Sequence, residues 1–314
     1  MFKWKIAIVG AGYMATEHAK ALAALPGVEI VGVCGRTPAK AQALAEAYGV
    51  SSYATVDELY RTTQADAVVV TVNELSMREI CLQAFQHPWV CLLEKPVGLD
   101  LADARTILAA ATAADCRAWV ALNRRSHGST IAALEAISRN DAPRLVSVLD
   151  QQDMGVARDI GQPEPVVLNW MYANSIHLID YFSVFCRGSV VAVDVTLPWT
   201  PANPGHVCAT LRYSSGDAGV YQAVWDGPGP WAVTVTNADV RVEMRPLESL
   251  TIQRRGERRA VPIELDGADV DFKPGLHVQA RELIRALEGH SPRLASLEDA
   301  TESMALVSTV YGLD

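Results

Sequence analysis

The chain opens on an unbroken apolar run, Ile6-Ala7-Ile8-Val9, without the alternation of a strand that faces water on one side. Such a run fits a strand covered on both faces, as in a parallel sheet. Similar runs return at 28–33, 66–72, 89–93 and 117–122, with a short strand at 50–53. Between them lie helix-forming stretches at 16–25, 38–48, 55–60, 74–85 and 99–114. Their ends are punctuated: Pro26-Gly27 stops the first, Gly49 closes the second, and Thr55 with Glu58 forms a capping box. Asp100 is placed as an N-cap. Strands alternating with helices predict an α/β fold with a doubly wound parallel sheet. Ligands of such sheets lie beyond the carboxyl ends of the strands. The ends at 10–12, 71–73, 94–96 and 123–125 are therefore expected to converge on one crevice.

After Asn123 the alternation stops. A helix is predicted at 129–139, a strand at 144–152 and a long helix at 169–185. Strands follow at 190–196, 207–213, 219–225, 232–236, 240–244 and 250–253, some separated by turn signals such as Ser214-Ser215-Gly216-Asp217. Sequential strands joined by short turns predict a mostly antiparallel sheet in an α+β second domain. The expected division is 1–123 and 124–314, with a last helix near 297–311 packing back on the first domain.

The 314 residues are half hydrophobic, enough for two ordinary domains with sizeable cores. With 27 basic and 36 acidic residues the net charge is −9, which disfavours nucleic acid or an anionic membrane as partner. No apolar run approaches the roughly 20 residues needed to span a bilayer. The six cysteines are scattered without a C-x-x-C pair and read as reduced core residues of a cytoplasmic protein without a signal peptide. No H-E-x-x-H or Cys/His cluster implies a metal.

The first strand runs into Gly10-Ala11-Gly12-Tyr13-Met14-Ala15, a G-x-G-x-x-A pattern. Gly10 permits a tight turn, Gly12 lets a pyrophosphate approach the backbone, and Ala15 allows close packing of the following helix. The helix N-terminus, with Tyr13 and Met14 in its first turn, would then hold the anion. This predicts a dinucleotide-binding domain of the Rossmann type over 1–123. At the end of the second strand, where a carboxylate would meet the ribose 2′-OH, stands Gly35, followed by Arg36 and Thr37. That tolerates a 2′-phosphate, so NAD or NADP is expected, with Thr71, Asn73, Glu94, Lys95 and Asn123 completing the cofactor contacts.

A strand ending in Glu94-Lys95-Pro96 after such a unit resembles the Gfo/Idh/MocA oxidoreductases, the relatives of glucose–fructose oxidoreductase and inositol dehydrogenase. Asn123-x-Arg125, 176–180, 272–275 and 296–300 fit the resemblance in the same order. It implies a second domain with an open-faced sheet that binds substrate and makes a homodimer or homotetramer. It also implies that Lys95 and His177 are catalytic, Lys95 stabilising and protonating the substrate oxygen, His177 assisting as acid/base. Asp180, one turn on, would orient the His177 ring. Many members carry an aspartate four residues before the histidine, where this chain has Ala173 beside Asn174. Arg124, Arg125, Asn169, Tyr172, Asn174 and His177 are the candidate substrate-binding residues. The implied activity is hydride transfer between nicotinamide and a carbinol of a sugar, sugar nucleotide or polyol. Two alternatives stand beside it: a non-catalytic nucleotide- and sugar-binding regulator, and an enzyme that cycles a tightly bound nucleotide.

Overall fold

A computed structural model of the chain describes residues 4–202, 204–265 and 267–313. In order, the first elements are β1 (Trp4–Val9), α1 (Tyr13–Ala23), β2 (Val28–Cys34), α2 (Pro38–Ala47), β3 (Ser52–Tyr53) and α3 (Val56–Thr63). Next come β4 (Ala67–Val70), α4 (Glu74–Ala84), β5 (Val90–Leu93), α5 (Leu101–Ala113), β6 (Ala118–Val120) and a 3-10 turn (Asn123–Ser126). The middle of the chain forms α6 (Gly128–Ile137), β7 (Leu145–Gln152), α7 (Met154–Asp159), α8 (Glu164–Leu168), a π turn (Met171–Ser175) and α9 (Ile176–Phe185). Then follow β8 (Val190–Leu197), β9 (His206–Tyr213), β10 (Ala218–Trp225), β11 (Ala232–Thr236), β12 (Val240–Met244), β13 (Thr251–Arg254) and β14 (Val261–Pro262). The chain ends in α10 (Ala268–Asp271), α11 (Leu276–Leu287), β15 (Ala295–Ser296) and α12 (Leu297–Tyr311).

The residues divide into two compact units, one taking the chain up to 126 together with 268–301, the other taking 127–267 and the chain from 302 on. A single cut near 123 was expected; instead the chain returns to its first unit. The last helix is divided, its residues from Glu302 on belonging to the second unit. There Ser303 donates to Asp180, and the buried Tyr311 hydroxyl meets those of Ser175 and Tyr221.

The first unit holds a seven-stranded sheet in the order β15-β6-β5-β4-β1-β2-β3. Its five pairings from β3 to β6 are parallel in the doubly wound order 3-2-1-4-5-6, and β15 adds an antiparallel edge. Residues 6–9, 67–70 and 90–93 are all buried, as their unbroken apolar runs predict. Ala15, Ala19 and Leu22 of α1 share one core cluster with Leu276, Ala280 and Leu283 of α11. The sequence reading assigns nothing to α11, although those leucines and alanine recur at helical spacing.

The second unit holds an eight-stranded sheet in the order β14-β13-β12-β11-β7-β10-β9-β8. Its pairings are antiparallel except β7–β10, which runs parallel from Leu145 opposite Ala218 to Gln152 opposite Trp225. Burial alternates along β7, so that Val146, Val148, Asp150 and Gln152 point to the covered face, against which α9 packs. On β9 and β10, His206, Thr210, Arg212 and Gln222 face outward. The predicted helix at 169–185 is broken: residues 171–175 form the π turn and only 176–185 are α-helical. A π turn holds an extra residue, so Ala173, His177 and Asp180 do not keep the i, i+4, i+7 alignment of an uninterrupted helix.

Candidate active site

The turn after β1 is built as the three small residues predict. Gly10 has φ +116, and a Cβ there would lie 2.3 Å from Thr71 Oγ1 and 2.7 Å from the Thr71 carbonyl oxygen. Only glycine fits that approach of the β4 end. Thr71 Oγ1 donates to the Val9 carbonyl at 3.1 Å and ties the two strand ends together. Gly12 is the N-cap of α1, and a Cβ there would meet nothing within 4 Å. The first N–H groups of α1 therefore open onto free space, a cradle that suits a pyrophosphate by both donors and dipole. Ala15 is fully buried in the core behind.

That space belongs to a cavity of about 620 Å³ lined by Gly10, Gly12, Arg36, Thr37, Thr71 and Asn73, among others. A Cβ at Gly35 would lie 3.2 Å from Ala41 Cβ and 3.3 Å from Ala11 Cβ, a tight fit that a side chain would meet only with a small shift of these neighbours. Exposed Arg36 and Lys40 stand on the same wall. Asn73 caps α4 by accepting from the Ser76 N–H at 3.1 Å, which fixes its carboxamide at the cavity.

Further along the sheet, β5 ends in Glu94-Lys95. Glu94 is buried; its Oε1 lies 2.8 Å from His18 Nε2 of α1, and its Oε2 accepts from the Lys95 backbone N–H at 3.1 Å. Lys95 is half-buried. Burial pushes its pKa below the ordinary lysine value; Glu94 and Glu74 partly oppose this, while Arg124 and Lys273 add to the lowering. Asn123, at the end of β6, donates to the Pro274 carbonyl at 3.0 Å and accepts from Arg124 Nη1 at 2.8 Å. Arg125 faces Asp299, with Nη1 and Oδ2 3.5 Å apart. Tyr13 is mostly exposed, with Lys273 Nζ 5.2 Å from its ring centroid, and Met14 is half-buried.

The remaining candidates lie in the second unit. His177, buried in the first turn of α9, has its ring centroid 6.3 Å from that of Trp231, whose indole N–H donates to the Gln151 carbonyl at 2.9 Å. Asp180, expected to orient the imidazole, accepts from Ser303 Oγ at 2.7 Å. Asn169 donates to the Pro165 carbonyl at 2.9 Å, and Tyr172 is buried. Asn174 donates to Gln152 Oε1 at 2.8 Å, and Gln152 donates in turn to Asp150 Oδ1 at 2.6 Å. Tyr221 donates to Asp150 Oδ2 at 2.6 Å, and its hydroxyl lies 2.8 Å from that of Tyr311. Burial pushes the Asp150 carboxyl pKa up, against the opposing donors Tyr221, Ser175, Gln152 and the Gln151 N–H.

Thus Gly10, Gly12, Arg36, Thr37, Thr71 and Asn73 share one cavity, whereas Glu94, Lys95, Asn123 and Arg124 gather at the ends of β5 and β6. The roles of His18, Lys273, Asp150, Gln152, Tyr221 and Tyr311 were not read from the sequence, whereas Asn174, which donates into the Asp150 network, was a candidate. His18 and Glu94 are 76 residues apart, and no local pattern links them. Among the described residues no group of three or more His, Cys, Asp or Glu side chains is placed to hold a metal ion, and no helix is long and apolar enough to cross a membrane.

Residues 4–122 match the model of an oxidoreductase family with an NAD-binding Rossmann fold. Inositol 2-dehydrogenase of Rhizobium meliloti is 28% identical over 286 residues, 87% of this chain and 82% of that protein. Glucose-6-phosphate 3-dehydrogenase of Bacillus subtilis is 31% identical over 121 residues, 38% of this chain. The matched stretch spans about a third of that relative's length, 34%. A solved structure of UDP-N-acetylglucosamine 3-dehydrogenase from Acidithiobacillus ferrooxidans superposes with a TM-score of 0.81, covering 98% of this chain and 97% of that one. At 18% identity this is a likeness of fold.

Proposed function

We propose, on the premise that this chain belongs to the Gfo/Idh/MocA oxidoreductase family, that it is an NAD(P)-dependent dehydrogenase acting on a carbinol of a sugar, polyol or sugar nucleotide. The observation that carries this reading is the half-buried Lys95 at the end of β5, held by Glu94, which also contacts His18 of the helix that opens on the cradle. The bound nicotinamide supplies the hydride acceptor or donor.

Every other role falls to the chain. The N–H groups of α1 above Gly12 bind the pyrophosphate, and the close fit of Gly10 against Thr71 holds that turn in place. Arg36, Thr37 and Lys40 take the adenosine end, where Gly35 offers no carboxylate to repel a 2′-phosphate, which favours tolerance of NADP as well as NAD. Glu94 fixes the backbone of Lys95 through its N–H while His18 anchors Glu94. Lys95 then exchanges the carbinol proton, and the depressed pKa makes its neutral form accessible nearer neutrality. His177 assists as acid/base, and Arg124, Arg125, Asn169, Tyr172 and Asn174 contact substrate. The six free cysteines support a cytoplasmic protein, and the outward face of the second sheet supports a homodimer or homotetramer.

The test is Lys95→Met, assayed with both cofactors against a panel of sugars, polyols and sugar nucleotides. Turnover is expected to fall by about 10²–10⁴-fold while NAD(P)H binding, followed by fluorescence, stays within about threefold. In the unaltered protein the rate of carbinol oxidation should rise with pH through the lysine pKa, below its ordinary 10.5. Turnover that survives in Lys95→Met overturns the assignment.

A further inference from the structure

We propose that Cys91 and Cys116 form an oxidative modification site, which takes a hydroperoxide and closes into a disulfide across the β5–β6 edge. The two Sγ atoms lie 3.7 Å apart, in thiol–thiol contact. Cys91 sits fully buried in β5, whereas Cys116 lies in the turn between α5 and β6 and is partly exposed. The strand register explains the meeting. Cys91 stands opposite Ala118, and its N–H donates to the Arg117 carbonyl at 2.9 Å. Cys116 is two residues before Ala118, and the pleat returns every second side chain to the same face. The Cys116 N–H donates to the Ala111 carbonyl at 2.9 Å, which holds the turn against α5. A disulfide brings sulfurs to about 2.05 Å, so each thiol needs to move by less than about 1 Å.

The order of steps follows from the surroundings. Contact with Cys91 lowers the Cys116 pKa; burial opposes this, Arg117 assists and Asp115 opposes. Burial pushes Cys91 and Cys81 up. Cys116 is therefore the thiolate that meets the oxidant, and Cys91 resolves. The Cys116 sulfur attacks one peroxide oxygen; the S–O bond forms, the O–O bond breaks, and the departing hydroxide leaves as water with the Cys116 proton. The Cys91 sulfur then attacks the sulfenic sulfur; the S–S bond forms, the S–O bond breaks, and hydroxide takes the Cys91 proton. Two thiols lose two hydrogens and one hydrogen peroxide becomes two waters. Nothing in this depends on the proposed dehydrogenase activity.

The experiment treats the reduced full chain with hydrogen peroxide under native conditions, blocks remaining thiols with N-ethylmaleimide and maps peptides without reduction. Cys81 and Cys91 share the tryptic peptide 79–105 while Cys116 lies in 106–117, so Cys81→Ser is mapped alongside. The expected result is a cross-link of the two peptides, lighter by two hydrogens, reversed by dithiothreitol, retained in Cys81→Ser and lost in Cys116→Ser. The proposal is overturned if Cys116 proceeds to sulfinic acid with Cys91 still alkylated, if Cys116 couples to Cys81, or if Cys116 stays reduced at peroxide levels that oxidise the partly exposed Cys208 in the same sample. Should either variant fold poorly, fragmentation of the cross-linked pair from the unaltered protein separates Cys81 from Cys91 within 79–105 and decides the partner.

Discussion

Substituting alanine separately at Gly10 and Gly12 should separate the architecture of the nucleotide turn from its use. At Gly10 the φ of +116 is a conformation that alanine adopts only under strain, about 1–3 kcal/mol. The new methyl would also sit 2.3–2.8 Å from the side chain and backbone of Thr71, and backbone cannot rotate away. Overpacking of that kind adds about 1–3 kcal/mol. Gly10→Ala should therefore lose about 2–6 kcal/mol of stability, a large share of a typical total. At Gly12 the φ of −93 suits any residue and nothing lies within 4 Å of the added methyl. Gly12→Ala should stay within about 1 kcal/mol of the parent. Its methyl would, however, occupy the space assigned to the pyrophosphate, and NAD(P)H affinity should fall about 10–100-fold, or about 1.4–2.8 kcal/mol. Urea unfolding followed by far-UV circular dichroism and fluorescence titration of NAD(P)H on both variants make the comparison. A stable Gly12→Ala protein that binds as tightly as the parent would refute the placement of the cofactor. A Gly10→Ala protein as stable as the parent would refute the close approach to Thr71.

Other consequences concern the second unit. Asp217 is buried and accepts from the Arg144 N–H, the Arg187 N–H and the Arg187 guanidinium. Burial alone would raise its pKa, but those donors prevail and hold the carboxyl well below the usual carboxylate range. Its stabilisation is thus present above the unfolded value, near 3.9, and disappears as pH falls through the folded one. Asp217→Ala should cost about 3–5 kcal/mol at pH 7, and the loss should shrink in strong acid; equal urea midpoints at pH 7 would contradict this. Tyr311→Phe removes a hydroxyl shared by Ser175, Tyr221 and Trp225 and should cost about 1–3 kcal/mol in the same assay. An unchanged midpoint would show that water replaces it without loss.

Much of the first unit was legible because its signals are local. Unbroken apolar runs reveal doubly covered strands, and the small residues of G-x-G-x-x-A can be read by the backbone each must serve. Thr55 and Asp100 accept from the backbone N–H groups three residues on, as their capping patterns predict. The π turn was hidden because residues 171–182 are buried on nearly every side, so polar and apolar positions do not mark out one face and a change of period leaves no trace in the pattern. The pairing of His18 with Glu94 and the funnel of donors onto Asp150 join distant segments, and composition near either end says nothing of the other. Helix α11 did carry a periodic signal; what the sequence could not tell is that it completes the core of a sheet formed far upstream.

That return has a cost in time. As the ribosome works through 127–267, α1 already presents Ala15, Ala19 and Leu22, whereas the leucines of α11 that share their cluster are not yet synthesised. At about 5–20 residues per second the wait is about 7–30 s. A nascent chain in that interval exposes a sticky helical flank and is a natural client for holding chaperones. Severing the gene after codon 126 should yield an aggregating fragment, rescued by co-expressing the segment that carries α11.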